Sequence, residues 1–247
     1  MARKILAGNW KMHKTAAETR AFLEVFLREV PGFPAGAEVV IAPPFTALAA
    51  AHLALAGQTR VALGAQNVHW EETGAYTGEV SATMLAEQGV TYAIIGHSER
   101  RAYCNELDRT VNLKTHTLLR HGLVPIIAVG ETLDEREAGV TDERVIAQTR
   151  AALDGLSDEL IARIVLAYEP IWAIGTGQNC DPAEANRVMG TMRACTSALR
   201  HVPILYGGSM KAENVAAYMA QEHINGGLVG GASLDPAGFA TLIRNAA

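Results

Sequence analysis

The segment Ile5-Leu6-Ala7-Gly8-Asn9-Trp10-Lys11 starts apolar and then turns abruptly polar. Residues 5–8 read as a strand covered on both faces, because an apolar run without alternation leaves no face for water. The turn after that strand decides the fold. An open, doubly wound sheet that binds a dinucleotide carries a G-x-G-x-x-G turn after its first strand. Gly8-Asn9-Trp10-Lys11 offers one glycine and a bulky indole instead, which is no nucleotide loop.

Seven similar runs occur at 38–42, 61–65, 92–95, 124–129, 164–168, 204–206 and 227–229. The segments between them read as helices. Thr15-Ala16-Ala17-Glu18 has the spacing of a capping box, followed by Phe22, Val25, Phe26 and Val30 at helical intervals. Thr141 opens another helix, and Asp181-Pro182 and Asp235-Pro236 each set a capping carboxylate before a proline suited to a first turn. Eight strands alternating with about eight helices in 247 residues predict a closed (β/α)8 barrel, an α/β fold, as a single catalytic domain over 1–247. Catalytic groups then belong just after the strand C-termini.

Composition narrows the function. At 49% hydrophobic and 19% charged residues the chain can fill a large core, which excludes wholesale disorder. A net charge of -5 argues against a nucleic-acid partner. The three cysteines form no CxxC pair and the eight histidines form no ligand cluster, so no metal site is predicted. A reducing, cytoplasmic location fits that cysteine usage. No stretch reads as a signal-peptide core or a bilayer span, so no membrane partner is predicted.

Polar residues gather at the strand ends. Glu169, after the sixth strand, reads either as a salt-bridged glutamate or as a general base whose pKa burial would raise. Pro170 confines its backbone to an extended conformation. His97, in Gly96-His97-Ser98-Glu99-Arg100-Arg101, reads as a turn-capping histidine or as a neutral donor to a carbonyl, kept neutral if a helix starts at Ser98. Glu99 and the arginines read as supporting charge. Lys11 reads as a surface lysine, a cation for a phosphorylated substrate, or a Schiff-base amine. Asn9 stands beside it, positioned to orient Lys11 or to touch substrate. Gly207-Gly208-Ser209 and Gly230-Gly231-Ala232-Ser233 end adjacent strands with exposed backbone amides, the pattern of a phosphate cradle. Residues 170–177 (Pro170, Ile171, Trp172, Ala173, Ile174, Gly175, Thr176, Gly177) read as a buried loop or as a lid hinged at both ends. The long excursion 66–79 carries two aromatics, and packs locally or enters a partner subunit.

Three of these stretches together resemble the triose-phosphate isomerase family: Ala7-Gly8-Asn9-Trp10-Lys11-Met12, Gly96 to Arg101, and Ala167-Tyr168-Glu169-Pro170 through Gly177. The resemblance runs from Ala7 to Leu234 and implies a TIM (β/α)8 barrel. It implies interconversion of dihydroxyacetone phosphate and D-glyceraldehyde 3-phosphate by proton transfer through an enediolate, in glycolysis and gluconeogenesis, without a cofactor. On that reading Glu169 moves the carbon proton, His97 polarises the carbonyl, and Lys11 holds substrate charge with Asn9 beside it. Ser209, Gly230, Gly231 and the amide of Gly175 bind phosphate, Ser98 and Glu99 support the site, and 170–177 form the lid. The resemblance also implies a homodimer in which Thr77 reaches Asn9 and Lys11 of the other subunit. The chain departs from the family pattern at Ala128, where cysteine is common, at His13 and at Asp181; Ala128 is expected to bear on stability or oxidation more than on mechanism. A Schiff-base aldolase through Lys11, a non-catalytic phosphate-binding barrel, and another phosphosugar isomerase are the competing readings.

Overall fold

In the computed structural model, residues 3–174 and 179–246 are described. Eight parallel strands close on themselves in sequence order: β1 Lys4–Asn9, β2 Ala37–Ala42, β3 Val61–Ala65, β4 Val90–Ile95, β5 Val124–Val129, β6 Val165–Tyr168, β7 Ile204–Tyr206 and β8 Gly226–Val229. Closure is made by β8 against β1, with Ile5 opposite Gly226 and Gly8 opposite Val229. Gly226 is required at this seam. Its φ is +146°, and a Cβ there would lie 1.7 Å from the Ile5 carbonyl oxygen.

The period-two alternation of each strand produces two cores. Ile5, Ala7, Val40, Ala42, Ile94, Ile126, Ala128, Val165, Ala167, Leu205 and Leu228 point into the barrel and fill it. Leu6, Val39, Ile41, Ile127, Leu166 and Ile204 point outward under the helices. Tyr92 plugs the end of the barrel where the strands begin, its hydroxyl bonded to Glu38. Both layers are needed, since each fully buried aliphatic side chain contributes roughly 1.5–3 kcal/mol.

The helices start where the sequence predicts. Thr15 caps Ala16–Phe26, and Glu18 reaches back to the Thr15 amide at 2.7 Å. Asp181 caps Pro182–Arg193 and Asp235 caps Pro236–Asn245. The first helix is shorter than the apolar spacing suggests. It ends at Phe26, Val25 is exposed, and Val30 is buried from a separate 3₁₀ turn. Among the described residues no helix is long and apolar enough to cross a membrane.

Candidate active site

The C-terminal ends of the strands surround a cavity of about 600 Å³ lined by Asn9, Lys11, His97, Glu169, Gly207, Gly208, Ser209, Gly230 and Gly231, among others. Six strand-end predictions, Asn9, Lys11, His97, Glu169, Ser209 and the Gly230-Gly231 pair, therefore meet in one space. Ile174 also lines it, while Gly175, Thr176 and Gly177 lie outside the described residues.

Glu169 comes after β6 and is buried, with both carboxylate oxygens engaged. Oε1 lies 3.0 Å from His97 Nε2, and Oε2 accepts the Ser98 amide at 2.8 Å. Burial pushes this carboxyl's pKa up, as expected from the sequence, but the imidazole and the Ser98 hydrogen bonds outweigh burial and hold it below the ordinary carboxylate range. The expected net rise is thus corrected: the sequence could not show that His97 and Ser98 would face the carboxylate.

His97 comes after β4 and stands at the N-cap of a helix at Ser98–Tyr103. Its Nδ1 accepts the Glu99 amide at 3.2 Å. An imidazole nitrogen that accepts carries no proton, so the proton resides on Nε2, which donates to Glu169. The helix start that would favour a neutral ring is present. Burial also disfavours the charged ring, yet the Glu169 carboxylate prevails and raises the pKa above the ordinary imidazole value. The two groups form one coupled pair in which each favours the other's charge.

Lys11 sits at φ 53°, a left-handed conformation that costs on the order of 1–3 kcal/mol and persists only where surroundings enforce it. Two groups do so. Asn9 Oδ1 accepts the Lys11 amide at 3.0 Å, and Glu99 Oε1 takes the ammonium at 2.6 Å. Of the two roles open to Asn9, orienting Lys11 is the one visible in these contacts. Glu99 and Ser98 contact the lining residues Lys11 and Glu169 and do not themselves line the cavity.

Residues 171–173 form a 3₁₀ turn after Pro170. The Ile171 amide donates to the Glu131 carbonyl at 3.1 Å, and the Trp172 indole donates to the Glu131 carboxylate at 2.8 Å. Arg136 lies over the Trp172 ring at 4.3 Å. The excursion after β3 packs on itself: the His69 ring lies 4.2 Å from Trp70 and 4.4 Å from Tyr76. Its tip, including Thr77, is exposed.

Sequence reasoning missed the layer behind His97. Buried Glu106 accepts the Gly96 amide at 2.7 Å, Arg100 at 2.6 Å and Lys114 at 2.9 Å, and Lys114 also donates to Asn67 at 2.7 Å. No local motif marks Glu106 or Lys114; Gly96 and Arg100 belong to the Gly96–Arg101 run, but nothing in that run shows that a distant carboxylate and ammonium would meet it. Among the described residues no group of three or more His, Cys, Asp and Glu side chains is arranged to hold a metal ion.

Comparison with known proteins is consistent along the whole chain. Residues 4–246 match the family model described as Triosephosphate isomerase. A protein of that name from Symbiobacterium thermophilum is 52% identical over 253 residues, covering 100% of this chain and 98% of the relative. Those from Synechococcus sp. (strain JA-3-3Ab) and Nostoc punctiforme are each 51% identical, over 97% and 99% of this chain and 94% and 98% of theirs.

Proposed function

The chain belongs to the triosephosphate isomerase family, and from that premise we propose how its cavity carries out the reaction. The protein is an aldose–ketose isomerase that interconverts dihydroxyacetone phosphate and D-glyceraldehyde 3-phosphate. Glu169 is the base that removes the proton from the carbon beside the carbonyl and returns it to the neighbouring carbon. His97, with its proton on Nε2, donates to the carbonyl oxygen and stabilises the enediolate. The observation that carries this reading is the facing pair, Glu169 Oε1 to His97 Nε2 at 3.0 Å, at the wall of the cavity that the Gly-rich strand ends also line. Substrate inserts between a base and an acid that already point at each other.

Lys11 supplies positive charge to the phosphate and the developing oxyanion. Its tether to Glu99 sets the ammonium's position at the cavity wall. Ser209, Gly230 and Gly231, with Gly175 of the lid, bind the phosphoryl oxygens through neutral donors, which suits a dianion that already has Lys11 nearby. Residues 170–177 close over the bound substrate and keep water from the enediolate. The test is interconversion of the two triose phosphates on metal-free protein beside Glu169→Gln. Fast turnover that collapses by orders of magnitude in the variant supports the assignment. Equal turnover in both refutes it.

We also place the protein in a homodimer and in the cytoplasm. Met12 and Tyr76, on the loops after β1 and β3, and Tyr103, at the end of the helix after β4, are large exposed apolar side chains, and they support a second copy covering that face. Thr77 would then complete the other subunit's Asn9 and Lys11. Activity per chain should fall on dilution as sedimentation reports monomer, and a fully active monomer refutes the proposal. No further division of the chain is needed: residues 1–247 work as one catalytic domain.

A further inference from the structure

Gly96 and His97 share a peptide group, and the orientation of that plane sets where the His97 side chain starts. Gly96 has φ +71°, open to glycine at little cost, so the backbone conformation alone does not fix the plane. A side chain fixes it. Arg101 Nε donates to the Gly96 carbonyl oxygen at 2.7 Å, bonding the very peptide from which His97 departs. The rest of the guanidinium is anchored on both sides. Nη1 donates to Asp108 Oδ1 at 2.5 Å, and Nη2 reaches the Ala128 carbonyl of β5 at 3.4 Å.

From this we infer that Arg101 is a positioning residue for the isomerisation: it aims His97 by locking the Gly96–His97 peptide to β5 and to the start of the helix Asp108–Arg120. Arg101 does not line the cavity, so it touches no substrate. Three features distinguish it from an ordinary surface arginine. Its side chain is only 14% exposed. All three nitrogens have named acceptors on three different segments. A Cβ at Gly96 would lie 2.8 Å from the Ala128 oxygen and 3.0 Å from Arg101 Nη2, so this peptide is packed tightly against the group that holds it. A fork with fixed geometry can hold three acceptors at once, which a lysine ammonium on a flexible stem cannot do with the same directions.

The inference rests on the role proposed for His97, and the experiment separates the two. Kinetics of the parent, Arg101→Met, Arg101→Lys, Asp108→Asn and His97→Gln are measured at a temperature where each is folded by circular dichroism. The imidazole of His97 is followed by long-range ¹H–¹⁵N spectra. A misplacement approaching 1 Å costs about 100-fold, so Arg101→Met should lose about 10- to 100-fold in kcat, with KM within about threefold because phosphate binding is untouched. The His97 resonances should shift, and Arg101→Lys should recover part of kcat. Should Arg101→Met fail to fold, Asp108→Asn carries the test: it loosens one anchor and should cost about 2- to 10-fold in kcat with the same direction of resonance shift. A folded Arg101→Met, or failing that Asp108→Asn, with parental kcat and unshifted His97 resonances overturns the inference while collapse of His97→Gln leaves the His97 role standing. Retained turnover in His97→Gln removes the premise and the inference together.

Discussion

Gly207→Ala tests whether the position of Glu169, the proposed base, rather than its presence, limits turnover. Gly207 comes directly after β7, and its backbone lies outside the left-handed region, so alanine meets no conformational penalty there. Its effect is steric. The added Cβ would sit 2.8 Å from Glu169 Cγ and 3.0 Å from the Tyr168 carbonyl oxygen, against ordinary contact from 3.4 Å outward. The Tyr168 oxygen cannot retreat, because it already accepts the Gly207 amide at 2.7 Å. The Glu169 side chain must give instead, by about 0.6 Å, away from the cavity wall formed by Gly207. With about 100-fold lost per 1 Å of misplacement, kcat should fall at least roughly 10-fold, and stability by about 1–3 kcal/mol from overpacking. The assay is coupled turnover in both directions with thermal melts alongside, and with Gly32→Ala, whose Cβ meets nothing within 4 Å, as the control. A folded Gly207→Ala protein with kcat within about twofold of the parent would refute the reasoning, since the overlap would then have been relieved without moving the base.

Glu106→Gln should destabilise the protein by about 3–5 kcal/mol, because it leaves the Lys114 ammonium buried without its countercharge; urea denaturation measures the loss. Burial raises the Glu106 pKa, but Lys114, the Gly96 amide and Arg100 outweigh it and hold it low, so its contribution is present above the unfolded carboxyl value and is lost as pH falls through the folded one. The gap between parent and variant should therefore narrow in acid, and a gap independent of pH would count against the pairing. In Glu169→Gln the group that holds the His97 pKa up is gone while burial remains, so the imidazole should titrate lower than in the parent by NMR; an unmoved titration would show that Glu169 does not set it. Thr15→Ala should cost about 0.5–2 kcal/mol through the lost cap and leave kcat unchanged, read from a melt and a rate on the same sample.

The strands were legible because a (β/α)8 barrel buries them on both faces, and an unbroken apolar run is then visible without any partner. β3, β5 and β7 begin and end where those runs do. β4 begins earlier, at Val90, because exposed Thr91 interrupts the apolar signal; the ladder to β3 shifts register there, pairing Val90 with Leu63 and Tyr92 with Gly64. Asn9, Lys11, His97 and Glu169 were legible for a related reason: a barrel brings every strand end to one mouth, so chain position alone predicts convergence. The direction of the Glu169 shift was not legible, since it depends on which neighbours point at the carboxylate. Neither was the Glu106, Lys114 and Asn67 cluster, whose partners lie 47 residues apart in the case of Lys114 and Asn67 and meet only once helices pack.

His97-Ser98-Glu99 shows how much of the site a short run can organise. Within three residues, His97 Nε2 faces Glu169, the Ser98 amide holds the other Glu169 oxygen, the Glu99 amide fixes the His97 tautomer, and the Glu99 carboxylate holds Lys11. Ser98→Pro removes one of these links selectively. Ser98 is the first residue of its helix, where proline fits and its missing N–H has no partner within the helix. His97 is at φ -54° and ψ 139°, which a succeeding proline accepts. The substitution removes the donor at 2.8 Å to Glu169, together with the serine hydroxyl's support of the same carboxylate. With His97 as the remaining partner and burial unchanged, the Glu169 pKa must rise. In the role proposed for it Glu169 works only when ionised, so the acid limb of kcat/KM should move to higher pH in Ser98→Pro, while the substrate phosphate titrates identically for both proteins and cancels in the comparison. Ser98→Ala, which keeps the amide, should move it less. Superimposable acid limbs for parent and Ser98→Pro, with both proteins folded, would mean that the Ser98 amide does not govern the ionisation of the base.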